Sequence, residues 1–295
     1  MSSEGRRIGQ ARSAFLRACM LDVAVRKPGN VSLHSAGHGM QGRMFLDSAE
    51  AAAGPLFTAG LRVGERIEAA VRATWAAAGC NTNLGILLLC APLAVAVERY
   101  PRLPLARAIE SVLAGLDLDD AAAAFRAIVL ASPGGLGSAE AEDVHAAPSI
   151  DLRSAMALAA ERDLVARQYR DGYAVLLAHV DRFAGTALNA EMPDVATIAA
   201  VQRLFLELLA AAPDSHIVRK HGMAVAQSVM TAAQPWRDRM RAGETSDADP
   251  GFRAWDESLK SQGINPGTTA DLTVATLMLA GLLSLERLDG TDRDN

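Results

Sequence analysis

The sequence predicts an all-α protein built as a single multi-helix domain with central buried helices. Half of its 295 residues are hydrophobic, yet only 4% are aromatic, and Ala, Leu and Val supply most of the apolar content. Ala and Leu are strong helix formers, whereas strands favour β-branched and aromatic side chains. Stretches that alternate apolar and polar residues, as a half-buried strand requires, are scarce. Most Gly and Pro residues fall between the apolar segments, so most breaks coincide with turn chemistry.

The first helix is expected over 8–25, where Phe15, Leu16, Cys19 and Met20 share one face. Segments 45–56, 64–78, 84–98 and 104–113 follow, then 119–129 and 151–168. The set continues through 172–183, 194–211, 216–233, 252–262 and 269–285. The apolar runs 86–97 and 272–283 are shorter than the roughly 20 residues that cross a bilayer, so they read as core helices. Pro92 lies inside the first of them and is expected to kink or end it, having no N–H to donate. The stretch 241–250, small, acidic and hydroxyl-rich, is the expected mobile loop. No repeat and no linker divides the chain, which makes one domain over 8–287, with polar flexible ends at 1–7 and 288–295.

Net charge is −5 and no basic block occurs, which argues against a nucleic-acid partner, because gripping that backbone takes clustered Lys and Arg. The N-terminal residues lack the basic-then-apolar pattern of a secretion signal. Cys19, Cys80 and Cys90 are odd in number and without metal-ligand spacing, as reduced thiols in a cytoplasmic protein would be. The expectation is a cytoplasmic protein without a membrane partner, its homo-oligomeric state left open.

Polar residues cluster where helices should begin. Asn265-Pro266-Gly267-Thr268-Thr269-Ala270-Asp271 joins turn formers, hydroxyls and a carboxylate directly ahead of an apolar helix. Asn81-Thr82-Asn83-Leu84-Gly85 repeats the design ahead of 86–97, and Lys27-Pro28-Gly29-Asn30 repeats it loosely. Any one of these is an ordinary helix cap by itself, but helix N-termini favour anions, phosphate among them, and several together make a site. Lys27 would meet a phosphate as a point charge, and the amides of Asn81 and Asn83 suit a nucleobase or ribose edge. Ser132-Pro133-Gly134-Gly135-Leu136-Gly137, with Glu140, Glu142 and Asp143 behind it, lets backbone approach a phosphate closely without the Lys-Ser/Thr ending of a P-loop. Asp163 and Arg167 are either a surface ion pair or a metal ligand and a phosphate contact. Asp214-Ser215-His216 with Arg219 and Lys220 brings cations to a helix start, read either as a solvated basic face or as an anion site. The six histidines form no zinc pattern, and the oxygen-rich clusters fit Mg²⁺ carried on substrate phosphates. No G-x-S-x-G elbow is present.

Taken in order, KPG at Lys27 to Gly29, NTNLG at Asn81 to Gly85, PGGLG at Pro133 to Gly137, RDLVARQY at Arg162 to Tyr169, DSHIVRKHG at Asp214 to Gly222 and NPGTTADLTVA at Asn265 to Ala275 resemble the triphosphoribosyl-dephospho-coenzyme A synthase family. The similarity spans roughly 22–283. It implies transfer of the triphosphoribosyl part of ATP onto the 2′-hydroxyl of dephospho-coenzyme A, with adenine released and Mg²⁺ on the triphosphate. The chain departs from the family's citrate-lyase members at two points. Gly37-His38-Gly39-Met40 lacks a carboxylate, and Asn30-Val31-Ser32 follows KPG in place of Leu-Val-Asp. Both are similar to a side branch from archaea and methylotrophic bacteria, and they bear on the acceptor more than on the use of ATP.

The reaction needs a held triphosphate, a recognised base, a stabilised ribosyl cation and an activated hydroxyl. Lys27, Arg219 and Lys220 are expected at the triphosphate, with backbone N–H groups of Gly134 and Gly135. Asn30, Arg167, Thr268 and Thr269 join them as nucleotide contacts, and Asn81 and Asn83 take the adenine or ribose. Asp163, Asp214 and Asp271 are candidates for Mg²⁺ or for the cation, and His38 or His216 is the candidate base. Two further classes stay open. One is a related transferase acting on a one-carbon carrier precursor of tetrahydromethanopterin or methanofuran type. The other is a helical nucleotide-binding protein without turnover.

Overall fold

The computed structural model describes residues 3–135, 137, 141–183, 188 and 193–291. Among them every regular element is helical, apart from an isolated bridge between Gly37 and Met40. The centre of the molecule is α4 (Leu84–Arg99) against α14 (Gly267–Thr291), with α1 (Ser3–Ala24) packed along both. α2 (Gly42–Leu56), α3 (Val63–Ala78) and α6 (Leu118–Ala131) pack in succession on one flank, and α5 (Leu105–Ala114) lies on α4. α7 (Leu152–Ala159), α8 (Leu164–Arg170) and α9 (Ala174–Val180) follow, the last leading into a 3-10 turn at Asp181–Phe183. α10 (Val195–Leu209), α11 (Ser215–His221) and α12 (Met223–Arg241) pack together, and α10 and α11 also meet α14. With α13 (Pro250–Ser261) they enclose a second apolar cluster of Phe205, Ile217, Phe252 and Ile264, bordered by Trp236 and Trp255.

α4 is buried on all sides from Ile86 to Ala96, as expected of a helix that is apolar all round. Pro92 does not end it. Proline removes the donor that the Leu88 carbonyl would receive, and the Tyr169 hydroxyl supplies one at 2.6 Å. The Tyr173 hydroxyl donates to the next carbonyl, that of Leu89, at 2.8 Å. A partner 81 residues away therefore carries the helix through a residue that should break it.

Two segments expected as single helices are broken. The stretch 151–168 splits into α7, which ends at Ala159, and α8, which Asp163 restarts as N-cap, its carboxylate accepting from Val165 N and Ala166 N. The stretch 216–233 splits into α11 and α12 at Gly222, whose φ of 86° leaves the helical region. The backbone is helical into both expected flexible ends, from Ser3 and as far as Thr291. Residues 1–2 and 292–295 lie outside the described residues, as do Leu136 and Glu140 of the Gly-rich cluster. The expected mobile loop is tethered by Arg239, which reaches Glu244 at 2.7 Å and Asp249 at 2.8 Å. Within α14, Gly267–Ser284 is long and apolar enough to cross a membrane by length and composition, and 72% of that window is buried inside the protein. It therefore serves as a core helix here.

Candidate active site

A cavity of about 810 Å³ opens where α4, α8, α11 and α14 begin. Its polar wall comes from segments far apart in sequence: Asp22, Asn30 and His38, the run Asn81 to Gly85, Asp163, then His216, Arg219 and Lys220, and finally Asn265, Thr268 and Asp271. The two long helices, α4 and α14, present the positive ends of their dipoles to it. Apolar lining comes from Phe45, Trp75, Phe125, Ile128 and Met156.

Side-chain caps stitch these helix starts together. Asp214 is fully buried, and one of its oxygens accepts from His216 N at 2.8 Å and Ile217 N at 3.1 Å. Its other oxygen accepts from Thr269 N and from Thr269 Oγ1, both at 2.7 Å, so one carboxylate caps α11 and clamps the start of α14. The Thr268 hydroxyl also accepts from His216 N, at 3.2 Å. Ser215 Oγ accepts from Leu164 N at 2.8 Å, which ties α8 to α11. Across the same junction Arg219 donates to Asp163 Oδ2 at 2.7 Å. At α4 the capping side chain is Asn81, which accepts from Leu84 N at 3.1 Å, while Asn83 makes no cap bond.

The glycines of the sequence clusters are close-approach positions. A Cβ at Gly29 would stand 2.8 Å from Pro266 Cδ, so the Lys27 loop packs directly on the Asn265 loop. A Cβ at Gly134 would meet Lys220 Cε at 2.9 Å, and one at Gly135 would meet the Arg219 carbonyl at 2.7 Å. At Gly85 it would fall 2.1 Å from Asp271 Oδ2. The Asp271 carboxyl thus occupies the place a side chain on α4 would take, at the meeting of the two central helix starts.

Burial, followed by the nearby carboxylates Asp22 and Asp214, holds the Asp271 carboxyl well above the usual carboxylate range. Asp22 is raised as well, by burial, with Lys27 opposing the shift. Burial and then the cations Lys220 and Arg219 push His216 down to about 4. Burial also lowers His38, against the hydrogen bond to Gly29. Both imidazoles are therefore neutral at neutral pH. His38 donates from Nε2 to the Gly29 carbonyl at 2.8 Å, and because a carbonyl only accepts, Nε2 carries the proton and Nδ1 keeps its lone pair. Asn83 Nδ2, His216 Nε2 and Arg219 Nε are buried without a hydrogen-bond partner, and all three residues line the cavity. Buried polar atoms left open in this way are groups that a ligand can satisfy.

Several expected contacts give way to structural roles. Lys27 is fully buried outside the cavity, with its ammonium 3.0 Å from the Asp22 carboxylate and also bonded to the Asp22 carbonyl, so it reaches the site only through Asp22. Arg167 turns back to the Ala160 carbonyl at 3.0 Å and does not line the cavity. Asp214 and Thr269 are consumed by each other and by the caps, which leaves Asp214 no oxygen for a metal. Asp163 does line the cavity, but its two oxygens serve the α8 cap and Arg219. No group of three or more His, Cys, Asp or Glu side chains converges on a metal position among the described residues. Asp22 was not legible in the sequence as a site residue, although an acid inside a largely apolar helix face is a signal of the right kind. The aromatic wall carried no signal, because Phe45, Trp75 and Phe125 sit at the same helical spacings as core residues.

A family model described as CitG, ATP:dephospho-CoA triphosphoribosyl transferase, matches residues 9–289. A crystal structure from Archaeoglobus fulgidus, described as that of a candidate triphosphoribosyl-dephospho-coA synthase, is similar at 25% identity with a TM-score of 0.63. The match covers 80% of this chain and 97% of the archaeal one. A comparison with curated protein sequences finds no match.

Proposed function

The chain belongs to the ATP:dephospho-CoA triphosphoribosyl transferase family, and from that premise we propose that it moves the triphosphoribosyl group of ATP onto the 2′-hydroxyl of dephospho-coenzyme A. The C1′–N bond of ATP breaks and leaves its electron pair on adenine. The acceptor oxygen bonds C1′, and its proton passes to a base. The observation that supports this reading most is the single cavity in which the starts of α4 and α14, the cations Arg219 and Lys220 and the carboxyl of Asp271 meet.

Each demand of the reaction has a matching group. Arg219, Lys220 and the backbone of Gly134 and Gly135 are disposed for the triphosphate. The open amide of Asn83, beside Asn81, suits the base or the ribose edge. Asp271 is the carboxyl for the ribosyl cation or for Mg²⁺ arriving on ATP, because Mg²⁺ typically takes one or two carboxylates plus substrate phosphates. Either cation favours the ionised form, so binding Mg²⁺–ATP should release a proton from Asp271. His38, with Nδ1 free, is the base for the hydroxyl, and His216, also neutral, is the second candidate.

A second reading changes the acceptor alone. The turn Gly37-His38-Gly39-Met40 contributes His38 and Met40 to the cavity and has no carboxylate. This favours a related cofactor precursor of the one-carbon carrier type. The deciding experiment incubates the protein with Mg²⁺–ATP and dephospho-coenzyme A, then follows adenine by chromatography and the product by mass. Adenine with the mass of the triphosphoribosyl adduct supports the first reading. Adenine formed only with another acceptor supports the second, and its absence with every acceptor refutes both.

A further inference from the structure

We infer that Asp256, buried on α13 outside the cavity, is the positioning residue that sets His38 for its work, acting through Gly29. The inference rests on the reading of His38 as the base. Asp256 is fully buried, and its Oδ1 accepts from Gly29 N at 2.9 Å. The carbonyl of Gly29 in turn accepts from His38 Nε2 at 2.8 Å. A single residue of the Lys27-Pro28-Gly29-Asn30 loop is thus held on its N–H side by Asp256, and on its C=O side it holds the imidazole. Because the His38 proton is committed to Gly29, the position of that carbonyl decides which ring nitrogen stays free.

The loop has little freedom to take this position unaided. Gly29 has φ of +80°, and its Cα faces Pro266 and the Ile264 carbonyl so closely that a Cβ would stand 2.8 and 2.9 Å from them. His38 itself has φ of 56°, a left-handed conformation at the tip of the turn that closes between Gly37 and Met40. The second oxygen of Asp256 accepts from Arg26 and from Lys260, each at 3.0 Å, and Lys260 also donates to the Ser35 carbonyl at 3.3 Å. Asp256 therefore secures the loop at Arg26 and Gly29 and, through Lys260, at Ser35. Residues at opposite ends of the loop are brought to one carboxylate, and the imidazole they support lines the cavity.

Asp256→Ala removes the acceptor for Gly29 N, and Asp256→Asn keeps an oxygen of the same shape there. Turnover is expected to fall by about 10²-fold in Asp256→Ala, the scale of a reacting group displaced by about 1 Å, with KM for ATP within about threefold of wild type. Asp256→Asn should recover most of the loss, which a purely charge-balancing role would not allow. The double variant Asp256→Ala, His38→Ala should be no slower than His38→Ala alone, since a residue that acts through another has nothing left to lose. Nitrogen-15 NMR of the His38 ring should find the Nε2–H tautomer in the wild-type protein and a mixture in Asp256→Ala. That measurement needs no turnover, so it stands even where adenine release, and with it the proposed function, fails. An Nδ1–H tautomer in the wild type, an unchanged Nε2–H tautomer in Asp256→Ala, additive losses in the double variant, or no rescue by Asn would each overturn the inference, and where Asp256→Ala does not fold the wild-type tautomer and the Asp256→Asn variant still test it.

Discussion

Gly85→Ala tests the centre of the site with a single methyl group. The new Cβ would lie 2.1 Å from Asp271 Oδ2, 2.6 Å from its Cγ and 3.2 Å from its Cβ, whereas ordinary contact begins at 3.4 Å. The carboxyl oxygen must retreat by about 1.3 Å, and rotation alone does not suffice because Cγ is also too close. Overpacking of this kind costs about 1–3 kcal/mol, offset by about 0.5–1 kcal/mol for replacing a helical glycine with alanine. The net stability loss is therefore between near zero and about 2.5 kcal/mol. The catalytic loss should be larger, about 10²-fold in turnover, because the displaced group is the one proposed to meet the developing ribosyl charge. Gly9→Ala on α1 is the control. No atom outside its own stretch of helix lies within 4 Å of its Cβ, so it should be neutral or stabilise by a few tenths of a kcal/mol up to about 1. Thermal melts and adenine release on both variants are the assays. Gly85→Ala with full turnover and a raised melting temperature would refute the argument, since Asp271 could then move without consequence.

Asp271→Asn should lower turnover by at least about 10²-fold in the adenine-release assay while leaving the melting temperature near normal. Its folded-state pKa is raised, so the wild type loses stability as pH climbs from the ordinary 3.8 through the raised value. The variant does not titrate there, and its melting temperature should gain on the wild type as pH rises; normal turnover with lowered stability would make the residue structural. Tyr169→Phe should cost about 1–3 kcal/mol in denaturant melts, because the Leu88 carbonyl loses its donor and Pro92 cannot replace it; a cost near zero would show that another donor serves that carbonyl. His216 is pushed down to about 4, so the unfolded chain takes its proton first and the wild type loses stability as pH falls from 6.5 towards 4. His216→Gln should lack that part of the decline, and parallel pH profiles for the two proteins would contradict it.

The helices were legible where apolar periodicity ran between turn residues, as at 84–98 and 64–78, which the structure ends within a residue. The breaks before Asp163 and at Gly222 were not, although Asp is an ordinary helix start signal and Gly an ordinary stop signal. Apolar residues continue on either side of each, so the helical period masked the interruption. The loops of the candidate site were legible as turn chemistry ahead of apolar helices. Asp256 and Lys260 were not, since their place in the sequence is a charged helix and their partners at Gly29 and Ser35 lie more than 200 residues away.

The sequence by itself determined that the chain is helical, where its special turns fall and which family those turns resemble, because composition, capping and turn preference are properties of neighbours along the chain. Asp214 and Asp271 mark the limit of that information. Both are aspartates near a helix start with hydroxyl residues close by, Asp214 as the N-cap of α11 and Asp271 four residues into α14, and the sequence alone assigns neither to a ligand or to a cap. To the local cap donors of Asp214 at His216 and Ile217, only the tertiary structure adds the N–H and hydroxyl of Thr269, 55 residues on, and together they consume its oxygens in buried hydrogen bonds. The same packing brings Gly85 against Asp271 and leaves that carboxyl at the cavity wall with its proton held by burial. A carboxylate is a cap where backbone donors surround it and is open to a ligand where they do not, and which of the two holds is settled by segments that meet only on folding.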